Sequence, residues 1–186
     1  MPERLILASR SPQRRAILEQ LGVVFEVRPP DGVEELADGE AGELVVENAL
    51  RKARAVSREP VLGVDTAVVL DGRVHGKPCD EAEAEAFLNR LSGRDHEVMS
   101  GIALRRGGAE RTALAVTRVR FRELEPAEVA WYLATGEWRE RAGGYAIQGR
   151  GAALVEQVYG DYLNVVGLPV PALLGLAPDL VFAGVS

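Results

Sequence analysis

Asp65 and Thr66 interrupt a pair of apolar runs, Val61-Leu62-Gly63-Val64 and Ala67-Val68-Val69-Leu70. An acid in the middle of a buried strand is costly (about 3–5 kcal/mol when its partner is missing) unless it is paired, hydrogen-bonded or bound to a metal. Asp71-Gly72 reads as a tight hairpin turn. The returning strand ends in Gly76-Lys77-Pro78, which brings a cation back to the sheet that holds the carboxylate. A fixed carboxylate, a hydroxyl and a lysine on rigid strands suit metal-assisted phosphate chemistry. A hairpin with one stabilising ion pair accounts for the same residues equally well.

Two other stretches have unusual chemistry. Ser9-Arg10-Ser11-Pro12-Gln13-Arg14-Arg15 follows a short apolar strand, Arg4–Ala8, and opens a helix capped by Ser11, with Pro12 in its first turn and Gly22 as its stop. First helical turns favour acids, because the free N–H groups and the macrodipole are positive there. This one carries arginines, which an anion would neutralise, so the turn reads as a phosphate cradle. The alternative is that the arginines point into water. The third stretch, Arg141 to Gly151, is rich in glycine around Tyr145-Ala146-Ile147-Gln148. Such backbone freedom is useful where main chain must approach a ligand. Gln148 has a donor and an acceptor with which to read a base edge or line a site.

The elements that must position these residues follow from periodicity. Phe25–Arg28 is a strand, followed by an acidic loop through Glu40 that reads as solvated. Helical spacing of Val45, Ala49, Ala53 and Val56 predicts a helix from about Glu43 to Ser57, with Glu47, Asn48, Arg51 and Lys52 on its other side. Nothing local separates Glu47 or Lys52 from solvated residues. Asp80-Glu81-Ala82-Glu83 reads as a capping box for a helix that stops at Gly93. A long hairpin follows, His96–Leu104 and Arg111–Phe121, turning at Gly107-Gly108, with Arg118, Arg120 and Arg122 on a wet face. Pro126 and Gly136 bracket a helix with Val129, Tyr132 and Leu133 inward. Ala152–Val158 reads as a strand, Tyr162 to Pro169 as a helix start, and Pro171–Leu176 as a short helix. The apolar tail to Ser186 has no clear pattern.

Composition sets outer limits. A chain of 186 residues, 47% hydrophobic, can bury one sizeable core. A net charge of −6 argues against generic nucleic-acid binding, so an anionic ligand must be met by a local basic cluster. The lone Cys79 rules out an internal disulfide framework and suits a reducing cytosol, where it reads as a packed or idle thiol. No signal peptide precedes Arg4 and no apolar run approaches the roughly 18–20 residues of a membrane span, so a cytoplasmic chain is expected. His75 and His96 lack zinc-site spacing, and His75 is read as exposed.

Seven segments taken together resemble the Maf family of nucleoside triphosphate pyrophosphatases. They are Leu7–Arg15; Glu47-Asn48-Ala49 with Lys52-Ala53; Leu62–Thr66; Gly76-Lys77-Pro78; Leu91-Ser92-Gly93 with His96; Ala142-Gly143 with Tyr145–Gly149; and Gly160-Asp161-Tyr162 through Pro169. The resemblance implies an α/β fold covering 1–186 as a single domain of two closely joined lobes, with a long bent mixed sheet flanked by helices and a cleft between the lobes. It implies cleavage of a nucleoside triphosphate between the α and β phosphates, a divalent cation (magnesium or manganese), and a cytoplasmic homodimer. By the same resemblance Asp65 takes the catalytic-base position and, with Glu47, serves the metal. Lys52 and Lys77 join them in the catalytic set. Ser9, Gln13, Arg14, Thr66 and Gln148 face the substrate.

The Tyr-Ala-Ile-Gln-Gly form is similar to the branch acting on dTTP and UTP. Gln13 stands where many members of that branch carry arginine, which bears on base preference. Val64, Gly144 and Leu163 are milder departures. Two alternatives remain open: a purine-directed pyrophosphatase acting on ITP, XTP or 7-methyl-GTP, and a non-catalytic nucleotide-binding regulator of cell division.

Overall fold

The computed structural model describes residues 4–182, so the end of the apolar tail lies outside the described residues. It is an α/β structure with one seven-stranded mixed sheet flanked by helices. In sheet order the strands are β2 (Phe25–Val27), β1 (Leu5–Ala8), β3 (Val61–Leu70), β5 (Asp95–Arg106), β6 (Ala109–Phe121) and β7 (Val155–Tyr159), and β4 (Arg73–His75) pairs with β3. β1 runs parallel to β2 and to β3. A strand flanked on both sides reads as an unbroken apolar run, which is why Leu5-Ile6-Leu7-Ala8 shows no alternation. Among the described residues no helix is long and apolar enough to cross a membrane.

The described residues form two compact units: 4–65, 100–115 and 167–182 in one, and 66–99 with 116–166 in the other. The first unit holds α1 (Pro12–Gln20), α2 (Ala41–Arg54), α6 (Val170–Leu176) and α7 (Asp179–Phe182). One cluster of its core is built of small residues, Ala8, Ala49, Ala53 and Ala103, with Ile6, Val56 and Val61. They let α2 lie unusually close to the sheet. A Cβ on Gly63 would sit 2.0 Å from the Ala49 carbonyl oxygen, and one on Gly101 would sit 2.2 Å from that of Val45. The far end of α2 is pinned by Arg105, which donates to the carbonyls of Ala53 and Val56 at 3.2 and 3.0 Å and pairs with Glu59 at 3.0 Å. A cation there also complements the negative helix end.

The second unit holds α3 (Glu81–Leu91), α4 (Pro126–Ala134) and α5 (Tyr162–Val166) over a core that includes Val68, Leu88, Leu91, Val119, Phe121 and Tyr132. His75 corrects the reading of an exposed side chain. It is buried edge-on against Phe87, with ring centroids 4.9 Å apart, because it pairs with Val68 in the ladder and shares that residue's covered face. His96 is buried too, between Phe121 and Tyr145, with Nε2 2.8 Å from the Tyr145 hydroxyl and Nδ1 without a partner.

Burial pushes the His96 imidazole from 6.5 down to about 4, and His75 works in the same direction. Between those values the unfolded chain binds a proton that the folded chain refuses, so stability falls as pH drops through the window. We expect His96 to cost about 2 kcal/mol between pH 7.5 and 5. Denaturant melts of parent and His96→Gln across that range measure it: the variant should have the flatter profile, and parallel profiles would remove His96 as the cause.

Other expectations shift locally. α2 begins at Ala41, earlier than the apolar spacing suggests, because Glu40 caps it by accepting from the Glu43 amide at 2.9 Å. In α3 the Asp80 side chain caps Glu83, but Glu83 reaches back to the Cys79 amide, at 2.7 Å, instead of to Asp80. β7 starts at Val155, not Ala152, since residues 150–154 coil as a 3-10 turn. α7, beyond Pro178, was not anticipated.

Candidate active site

Two segments of the first unit converge on the acid of β3. Asp65 is 9% exposed. Its Oδ1 accepts from Lys52 Nζ at 2.6 Å and its Oδ2 from Asn48 Nδ2 at 3.3 Å. Asn48 and Lys52 are four residues apart and so share one face of α2, the spacing that lets both reach a single carboxylate. Lys52 also lies 2.8 Å from Glu35, in the acidic loop. The two carboxylates therefore flank one ammonium.

Ser9 and Arg14 are joined by a 3.0 Å bond from Arg14 Nη1 to the Ser9 hydroxyl, which also accepts from the Ser11 amide at 3.2 Å. Arg14 Nε donates to the Gly167 carbonyl at 2.8 Å, so Gly167 anchors the guanidinium. Burial pulls the Arg14 pKa below its ordinary value, and the charges of Asp65 and Glu35 work against that pull. Arg10 and Arg15 do turn to solvent, pairing with Asp31 and Glu19. Of the three arginines at the helix start, one is held inward.

Gln13 accepts from the Ser11 hydroxyl at 3.2 Å. Glu47 lies on the neighbouring stripe of α2 and is held by Arg51 at 3.1 Å, half exposed, one face removed from the Asn48–Lys52 pair. Asn48, Glu35 and Gly167 were not singled out as site residues from sequence. The available signal was the Asn48–Lys52 spacing beside a strand that contains an acid.

The remaining sequence candidates belong to the second unit. Thr66 is half buried on β3. Lys77 pairs with Glu140 at 2.9 Å, with both side chains largely in water, and such a pair is worth at most about 1 kcal/mol. The Gly143 amide donates to the Gly76 carbonyl at 3.0 Å, tying the lysine's segment to the glycine-rich run. Gly143 has a positive φ of 67°, and a Cβ there would strike Val68 at 2.7 Å, so this approach needs glycine. The run is anchored by Tyr145 on His96 and by the Ala146 amide on the Tyr132 hydroxyl at 2.9 Å. Burial raises the Tyr132 pKa to about 12. Beyond those anchors the turn presents Gln148 to solvent.

No group of three or more His, Cys, Asp or Glu side chains able to cage a metal occurs among the described residues. The donor set suits a hard ion of the magnesium type, which needs one or two carboxylates and takes its other ligands from phosphate and water. Among the described residues Asp65 Oδ2 has only the long contact from Asn48, and it would be the oxygen left to serve such an ion.

The Maf-like protein family profile matches residues 4–179. The dTTP/UTP pyrophosphatase of Symbiobacterium thermophilum is 53% identical over 90% of this chain and 89% of its own length. Those of Anaeromyxobacter dehalogenans (strain 2CP-C) and Gloeobacter violaceus are each 49% identical, over 91% and 96% of this chain and 90% and 97% of their own lengths. With a family match over residues 4–179 and relatives about half identical over most of their own lengths, this chain belongs to the Maf-like protein family.

Proposed function

We propose that the chain is a nucleoside triphosphate pyrophosphatase that hydrolyses dTTP and UTP between the α and β phosphates, releasing the monophosphate and pyrophosphate. The observation that carries it is the Asp65 carboxylate, buried on a rigid strand and held by Lys52 at 2.6 Å. Relatives bearing that activity in their names support the substrate choice.

In this reading Asp65 accepts the proton of the attacking water, and its orientation is fixed before substrate arrives. Lys52 offsets the charge that grows on the phosphate oxygens. Arg14, braced by Ser9 and Gly167, grips a phosphate with its planar fork. By the family resemblance alone, Lys77 would supply a point charge to the leaving pyrophosphate, and Thr66, Gln148 and Gln13 would bear on the base. A divalent cation, when bound, polarises phosphate oxygens and acidifies a water. Asp65 would hold it, with Glu47 as the second carboxylate once released from Arg51. The enzyme is proposed to act in the cytoplasm as a homodimer, without nucleic-acid or membrane partners.

The test is a panel of dTTP, UTP, ITP, XTP and 7-methyl-GTP with magnesium or manganese, assayed separately for pyrophosphate and orthophosphate. Pyrophosphate from dTTP and UTP is expected. Orthophosphate as the sole direct product would overturn the reading, and preference for a purine would overturn its substrate. Arg14→Lys should lower kcat/KM by about tenfold or more, because an ammonium cannot keep both anchors and still present a fork. Steady-state kinetics on the preferred nucleotide check it.

A further inference from the structure

The geometry points to Asn48 as a positioning residue that sets the direction of the Asp65 carboxylate and straps the acidic loop to the same helix. The inference rests on the proposed role of Asp65. Asn48 is 1% exposed, and a buried amide is retained at a cost unless its polar atoms are bonded. Its Oδ1 accepts from the Leu36 amide at 2.7 Å, and its Nδ2 donates to the Leu36 carbonyl at 3.0 Å and to Asp65 Oδ2 at 3.3 Å. One side chain thus closes a two-point clamp on loop backbone and touches the acid.

The neighbouring residues of α2 extend the strap. Arg51 Nη1 donates to the Glu34 carbonyl at 3.2 Å, and Lys52 pairs with Glu35 at 2.8 Å. Residues 34–36 are therefore held by two adjacent stripes of α2, and where Glu35 meets Lys52 depends on where Asn48 fixes Leu36. At Asp65 the two oxygens are treated differently. Oδ1 has a short bond from a full charge, while Oδ2 has a long bond from a neutral amide. The lysine fixes the distance, and the amide fixes the rotation of the carboxylate about its last bond. The weaker contact leaves Oδ2 the oxygen able to take a further hydrogen bond.

Asn48→Asp keeps the bond that protects the Leu36 amide and removes the contact to the acid. A carboxylate still accepts from the Leu36 amide but can no longer donate to the Leu36 carbonyl or to Asp65, which it repels. Asn48→Ala removes both. Parent and variants are compared by kcat and KM on the nucleotide the parent turns over, and by hydrogen exchange at the Leu36 amide. In the parent that amide should exchange at least about tenfold more slowly than other amides of the 31–40 loop. Asn48→Asp should keep the protection yet lose about tenfold or more in kcat, with KM within about threefold. Asn48→Ala should lose protection and kcat together.

The proposal is overturned if Leu36 is unprotected in the parent, if Asn48→Asp keeps kcat within about threefold of the parent, or if a folded Asn48→Ala keeps the protection. Should Asn48→Asp fail to fold, Asn48→Ser, small and neutral, is judged by its kcat alone, and a value within about threefold of the parent overturns the proposal. A parent inactive on every nucleotide would sink the pyrophosphatase reading instead, and the exchange measurement would still decide the strap.

Discussion

Asp65→Asn should abolish turnover, by about 10³-fold or more in kcat, and leave a protein that melts cooperatively within about 2 kcal/mol of the parent. The first half follows from asking one carboxylate both to accept a proton and to serve the cation. An amide cannot take the proton and offers a cation only a neutral oxygen, although it has the same shape. The second half follows from Lys52. Breaking a buried ion pair is ordinarily severe, about 3–5 kcal/mol, because the surviving charge is left alone. Here the surviving ammonium keeps Glu35 at 2.8 Å, so it is not left alone. Kinetics and thermal melts on the same preparation check both halves. A folded Asp65→Asn with parental kcat would remove the residue from the mechanism.

Gly63→Ala should be among the most damaging single changes to stability, beyond the usual 1–3 kcal/mol of an overpacked core. The added methyl carbon would stand 2.0 Å from the Ala49 carbonyl oxygen and 2.9 Å from the Ala53 amide nitrogen, and both are helix backbone with no rotamer to relieve the clash. α2 must back away from β3, which also withdraws Asn48 and Lys52 from Asp65. Activity should therefore fall with stability, unlike in Asp65→Asn. Chemical denaturation with parallel assays distinguishes the two, and Gly63→Ala with parental stability would mean that the helix sits farther from the strand than described.

These two positions also show what a sequence makes legible. The acid between two apolar runs on β3 can be read locally, because a charge in a buried strand stands out. The Ser11-Pro12 helix start can be read for the same reason: its signals lie within a turn of each other. Lys52 and Asn48 cannot be read this way, since a polar stripe on an amphipathic helix looks the same whether it faces water or a partner. Their burial depends on Gly63 and Gly101, residues distant in the chain whose missing side chains admit the helix. Glu35 is hidden for a related reason, being one acid among many in a loop that reads as solvated. His75 misled because three residues of β4 are too few for an alternation pattern, and only its pairing with Val68 fixes which way it faces. The family resemblance pointed to Lys52 where local pattern did not.

The seat of α2 has a mechanical consequence. Its carbonyls at Val45 and Ala49 rest in the two gaps left by Gly101 and Gly63. Sliding the helix by one residue along the sheet would drive those oxygens into neighbouring side chains. A ratchet of that kind is therefore blocked, so Asn48, Arg51 and Lys52 keep a fixed register against residues 34–36.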